Sequence, residues 1–135
     1  MGVKLAYLEL FDAADVERLE VAGIKTSDDL LARAAARDPR AALVARTGVA
    51  EATLMRLLRM SDLMRVAGIN EPLTQLLDVM GVGTVDALAR QDAAVLIKQM
   101  RRKNVEILVV RGMPPESTVA RWIVDAKALP VVIGD

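Results

Sequence analysis

Residues 19–30 read LEVAGIKTSDDL, and residues 77–88 read LDVMGVGTVDAL. Slid by 58 positions, the sequence sets Leu19 on Leu77, Val21 on Val79, Gly23 on Gly81, Thr26 on Thr84, Asp28 on Asp86 and Leu30 on Leu88; the match reaches back to Leu5 on Leu63. It resumes at a shift of 65, with Glu51 on Glu116, Thr53 on Thr118, Leu54 on Val119, Arg56 on Arg121, Leu57 on Trp122 and Leu58 on Ile123. The difference between the shifts puts seven extra residues into the later copy, within residues 91–115. A unit of this size cannot bury its apolar face alone, and a neighbouring copy lets it build a core. The expectation is one domain over residues 1–135, composed of a pseudo-repeat at 1–60 and a second at 61–135.

Within each copy the apolar spacing is helical. Leu73, Leu76, Leu77 and Met80, and again Val119, Trp122, Ile123 and Ala126, follow i, i+3, i+4, i+7, and Leu54, Leu57, Leu58 and Ser61 match the latter set. Helix punctuation agrees: Thr26 precedes a first turn holding Asp28 and Asp29, Asp38-Pro39 reads as a capping carboxylate with proline at the first helical position, and Gly23 and Gly81 stand where C-terminal caps belong. The run Val105-Glu106-Ile107-Leu108-Val109-Val110 is rich in β-branched residues that suit a strand. With no partner strand in view, helix is the reading there. The predicted fold is all-α, two tandem helix-hairpin-helix-like units packed around a shared core, with Phe11 and Ile69 as buried plugs under matching turns.

Composition narrows the chemistry. Of 135 residues 53% are hydrophobic, enough to fill a core. Lysine plus arginine and aspartate plus glutamate number 18 each, so no net field draws in nucleic acid or an anionic membrane from a distance, and any basic site must be local. There is no cysteine and no histidine, which excludes disulfides, thiolate or imidazole metal sites and histidine acid–base work. No apolar stretch is long enough to span a membrane, and a cytoplasmic protein is the simplest expectation.

The stretch Val66-Ala67-Gly68-Ile69-Asn70-Glu71-Pro72 falls between two amphipathic helices and looks like a helix-hairpin-helix turn. There a glycine, an apolar plug and a second glycine reverse the chain and leave amides facing outward at the next helix's start. Gly68 and Ile69 fill the first two places; Asn70 replaces the second glycine, and in the first copy Leu10, Phe11 and Asp12 take these places. Thr47-Gly48-Val49 and Arg111-Gly112-Met113-Pro114 also set glycine before an apolar residue. Together with Ser61-Asp62-Leu63-Met64-Arg65 and the closing Trp122-Ile123-Val124-Asp125-Ala126-Lys127-Ala128-Leu129-Pro130, these turns resemble the bacterial domain-of-unknown-function family numbered 4332, regarded as a relative of tandem helix-hairpin-helix domains. The resemblance implies paired hairpins and binding to nucleic-acid backbones.

For the binding site the residues leave two readings. Hairpin amides suit a phosphate only where they are open and cations stand near, yet Asp12 and Glu71 each set an acid at a helix start. Gly68, Ile69 and Asn70 are thus either a tight connection or a phosphate contact. Lys98, Arg101 and Arg102 share a helical face at i, i+3, i+4 and Lys103 adjoins them, with Arg90 and Arg111 flanking: a solvated face, a dock for an acidic partner, or a phosphate track. A DNA contact would draw on amides near Gly68 and Gly112 with Arg65, Arg101, Arg102 and Arg111. Only 2% of residues are aromatic, which argues against base stacking. Gly81-Val82-Gly83-Thr84 lacks the third glycine of a dinucleotide loop and follows a helix rather than a strand. The methionines and Trp122 read as core. The tail Leu129-Pro130-Val131-Val132-Ile133 is apolar enough to pack back on the domain or onto a second chain, which would make a homo-oligomer. Catalysis would need Asp15, Asp28, Asp86 or Lys98 to meet another titratable group in a cleft. The expectation is a non-catalytic protein-interaction adaptor with no cofactor and no metal, the alternative being weak, sequence-independent DNA-backbone binding.

Overall fold

The computed structural model describes residues 2–134. A short 3-10 turn at Leu5–Tyr7 leads into α1 (Ala13–Val21), α2 (Ser27–Ala34), α3 (Arg37–Thr47), α4 (Glu51–Leu63), α5 (Glu71–Val79), α6 (Val85–Ala89), α7 (Ala93–Ile107) and α8 (Glu116–Ala128). The chain is all-α. A lone bridge between Lys4 and Thr26 is the one β-type pairing among the described residues. The chain divides into two compact units, one running through Asp62 and including the tail from Val132, the other spanning Leu63–Val131.

In the first unit α1 ends in a left-handed Gly23, φ +91°, and the Ile24 N–H donates back to the Leu19 carbonyl at 2.9 Å. That long reach closes the exposed end of α1 and drives Ile24 into the interior, where it is fully buried. Two residues later Thr26 caps α2 by accepting from the Asp29 N–H, and Asp29 returns the favour by accepting from the Lys25 and Thr26 amides at 3.0 and 3.1 Å. Those backbone donors, the Lys25 amide first, hold the Asp29 carboxyl below its ordinary value. A folded pKa lower than the unfolded one stabilises above the unfolded value, and the gain is lost as pH falls through the folded one. Wild type should therefore be more stable than Asp29→Asn at neutral pH, with the two thermal midpoints converging below about pH 4. A difference that persists undiminished into acid would refute this.

α3 departs from its predicted start. It begins at Arg37 with Ala36 as N-cap and no side-chain cap, so Asp38 and Pro39 lie inside the first turn rather than at its edge. The first helical amides have no intrahelical acceptor, so a proline there forfeits no hydrogen bond. Further along α3, Arg40 is 7% exposed; its Nη1 donates to the Ala34 and Ala35 carbonyls and its Nη2 to the Gly134 carbonyl. The Gly134 N–H in turn donates to Ala35 O at 2.8 Å, so the end of the tail lies along the corner between α2 and α3 of its own chain.

The glycine-turn and threonine-cap hydrogen bonds of the first hairpin recur 58 residues on, whereas those accepted by Asp29 do not, Ala87 taking its place. Val82 N–H donates to Leu77 O at 2.9 Å behind a left-handed Gly81, φ +81°; Val82 is buried, and Thr84 caps α6 by accepting from Ala87 N–H. The 3-10 bond from Leu8 N–H to Leu5 O has its counterpart from Val66 N–H to Leu63 O. α4 and α8, the segments related by a shift of 65, are both 13 residues long, and Leu54, Leu57, Leu58, Val119, Trp122 and Ile123 are all buried. α7 is longer than α3, and the loop 108–115 that follows it is longer than residues 48–50 after α3.

α6 and α7 pack against α8, and α5 against α7, around Leu76, Leu77, Leu88, Leu96, Met100 and Trp122. Of the two expected plugs Ile69 is buried at 6% exposure, while Phe11 is only half-buried, with the Arg56 guanidinium 5.3 Å from its ring centroid. An aromatic ring can satisfy a cation from a surface position, and this one does so rather than fill the interior. The stretch 105–110 is also corrected: α7 stops at Ile107 and Leu108 turns left-handed, φ 52°. Asn104 makes the stop, its Oδ1 accepting from the Val109 and Val110 amides and its Nδ2 donating to Val110 O. Met60 and Met100 are buried; Met55, Met64, Met80 and Met113 are half-buried.

Candidate functional site

The predicted binding residues lie on three segments of the second unit. In the turn between α4 and α5, Gly68 has φ +92°, Ile69 is buried, and the Asn70 side chain caps α5 by accepting from Leu73 N–H at 3.2 Å. The Leu73 amide of the first turn is thus already taken by a neutral side chain, and Glu71 adds an acid to the same turn. Arg65 points elsewhere: its Nη2 donates to the Pro130 carbonyl at 2.9 Å. Between α7 and α8, Arg111 and Gly112 are exposed, but Gly112 is not among the glycines with positive φ, and the N-cap of α8 is Pro115, three residues further on. The amides at Gly112 therefore do not open a helix.

The basic residues of α7 form the coherent feature. Leu96, Ile97 and Met100 turn inward, which leaves Lys98, Arg101 and Arg102 on the outward side, all exposed. Lys103 is drawn into a 3.0 Å pair with Glu106, and Arg90 into one with Asp86. Among the described residues neither pair draws on Lys98, Arg101 or Arg102. Val95, Val105 and Leu108 stand 51%, 76% and 78% exposed around them. The spacing 98, 101, 102, 105 is i, i+3, i+4, i+7, so Val105 continues the basic stripe, and Val95 precedes it by one turn. A groove of about 270 Å³ flanks the stripe, lined by Val79 and Met80 from the end of α5 and by Gln99, Arg102, Lys103 and Glu106 from α7.

A family model described as a domain of unknown function, DUF4332, matches residues 10–129. The chain belongs to that family. Searches among curated proteins and among solved structures gave no match. The DUF4332 region takes in every residue of the α7 stripe and the turns at Gly23, Gly68 and Gly81. Two features of this DUF4332 chain escaped the sequence reading. One is the exposed valines and leucine that frame the cations, hidden because a β-branched run reads as core or strand. The other is the self-capping of the first hairpin by Asp29, although the Thr26-to-Asp29 spacing carried that signal. Asp15 pairs with Arg18 on its own helix, and Asp86 with Arg90 at the C-cap of α6. Among the described residues no group of three acidic, histidine or cysteine side chains converges as metal ligands would, and no helix is long and apolar enough to cross a membrane.

Proposed function

We propose that this DUF4332 chain is a non-catalytic, cytoplasmic binding module of two helix-hairpin-helix-like repeats, and that its ligand is a protein docked on the outward face of α7. The observation that carries this reading is the combination on one face of exposed Val95, Val105 and Leu108 with Lys98, Arg101 and Arg102. Scattered exposed valines are ordinary, but apolar groups bracketing a cation cluster supply desolvation and charge selection together, as a protein interface does. The partner should be acidic and partly apolar. The first hairpin supports the choice of protein over DNA, since the Asp29 carboxylate already fills the Lys25 and Thr26 amides that a phosphate would need.

One observation favours DNA as a second reading. In the later hairpin Ala87 stands where Asp29 stands in the first, so the Gly83 and Thr84 amides lose that intramolecular acceptor.

Two measurements decide. A photo-crosslinking residue at Val105 should give protein adducts in cells, lost on Arg101→Glu with Arg102→Glu; no adduct would sink the protein reading. Anisotropy of a labelled duplex should show no binding as salt rises from low to moderate. Salt-sensitive binding abolished by the same two substitutions would install the DNA reading instead.

A further inference from the structure

We infer that the partner of the α7 face is a second copy of the chain, which presents its α1 face. This rests on α7 being a protein-docking face and goes on to name what docks there.

The zero net charge of the chain conceals a segregation. Residues 9–29 hold seven acids and two bases, whereas residues 90–111 hold six bases and two acids. The acidic stretch is centred on α1. Val16 and Leu19 are its buried side, so Ala14, Glu17 and Val21 share the outward one, and Val21 is 83% exposed. Arg18, the cation of this helix, is held by Asp15 at 3.1 Å, which leaves Glu17, with half-buried Glu20 at the margin, to set the sign of the face.

Beside α1 lies a depression of about 360 Å³. Ala14, Val21 and Ala22 give it an apolar wall, Glu17 and the Asp15-paired Arg18 line it, and Arg46 and Thr47 from α3 close the far side. Arg46 is the one cation on that far wall. The two faces are complementary in kind: α7 offers protruding Val105 and Leu108 between cations, and α1 offers an apolar hollow with Glu17 on its wall, set in a stretch where acids outnumber bases seven to two. Seating Val105 or Leu108 of one copy against Val21 and Ala22 of another brings Lys98 and Arg101 toward Glu17 and Glu20. Because the joined patches differ, the contact is head-to-tail, and it propagates unless two copies close on each other reciprocally.

The test is sedimentation velocity on purified chain over a concentration series. Wild type should show species heavier than the monomer at about 0.05 M salt and return toward the monomer at about 0.5 M, as screening shortens the reach of exposed charges. Arg101→Glu with Arg102→Glu, and separately Glu17→Lys with Glu20→Lys, should each weaken association on the order of tenfold or more. An equimolar mixture of the two variants should associate again, since each then meets a face of opposite sign. Glu20 is half-buried, so circular dichroism checks the fold and Glu17→Lys alone serves as the milder variant. A monomeric wild type at every concentration, or association indifferent to both charge reversals, overturns the inference. The Val105 crosslink to some other protein would then still stand, so failure here is separable from failure of α7 as a docking face.

Discussion

Replacing Trp122 by alanine is expected to destabilise the second unit by about 3–5 kcal/mol, a large share of the roughly 5–15 kcal/mol that holds a domain folded. Trp122 is 2% exposed and lies in the cluster that joins α5, α6, α7 and α8. Removing the indole leaves a cavity that four separately anchored helices cannot jointly collapse into. The chain has one tryptophan, so the change is followed by urea denaturation with circular dichroism rather than fluorescence. A companion substitution locates the effect. A Cβ at Gly68 would sit 3.3 Å from Trp122 Nε1 and at φ +92°, whereas one at Gly81, φ +81°, would meet nothing within 4 Å. Both alanine variants bear the left-handed penalty of about 1–2 kcal/mol, and Gly68→Ala should lose more by the indole contact. Were Trp122→Ala within 1 kcal/mol of wild type, or the two glycine variants equal, the indole would not anchor this unit.

What could be read from the sequence follows from how far each signal travels along the chain. α8 was legible because Val119, Trp122, Ile123 and Ala126 repeat at a helical period and all four are buried. Thr26 was legible as a helix start because a first turn holding Asp28 and Asp29 follows it directly. The end of α7 was not, because it depends on a single asparagine side chain reaching five and six residues forward and on a leucine in a left-handed conformation, which residue preference does not favour. Phe11 was misplaced because pairing it with Ile69 assumed that equivalent positions share an environment, and the Arg56 side chain, 45 residues away in sequence, gives it a different one.

The candidate site divides in the same way. The basic stripe was visible as a spacing, since helix geometry alone places 98, 101 and 102 together. Which cations stay available was not visible. Arg65 is tied up by a carbonyl 65 residues distant, and Lys103 by a glutamate on its own helix. The readable part was the local face, and the unreadable part was the competition for it.

Arg40→Ala should cost the first unit about 2–3 kcal/mol, because charge-assisted hydrogen bonds are strong and the one to Ala34 O is buried. The guanidinium makes three such bonds, at 3.2 Å to Ala34 O, 3.1 Å to Ala35 O and 2.9 Å to Gly134 O. Ala34 and Ala35 are at the C-terminal end of α2, where carbonyls have run out of helical amides, so one side chain from α3 does for α2 what a capping glycine does elsewhere. Returning the guanidinium to water offsets part of the loss, which keeps the figure below the sum of three bonds. Arg40→Lys keeps the charge but supplies a compact ammonium in place of a planar fork, and should recover less than half of the difference. The tail gives an independent readout: the Gly134 amide, bonded to Ala35 O, should exchange with solvent faster in Arg40→Ala, because the arginine fixes both carbonyls between which that residue is held. An unchanged denaturation midpoint together with unchanged Gly134 exchange would show that the corner holds its shape without the arginine. An unchanged midpoint with faster exchange would assign Arg40 to the tail alone and leave the end of α2 to solvent.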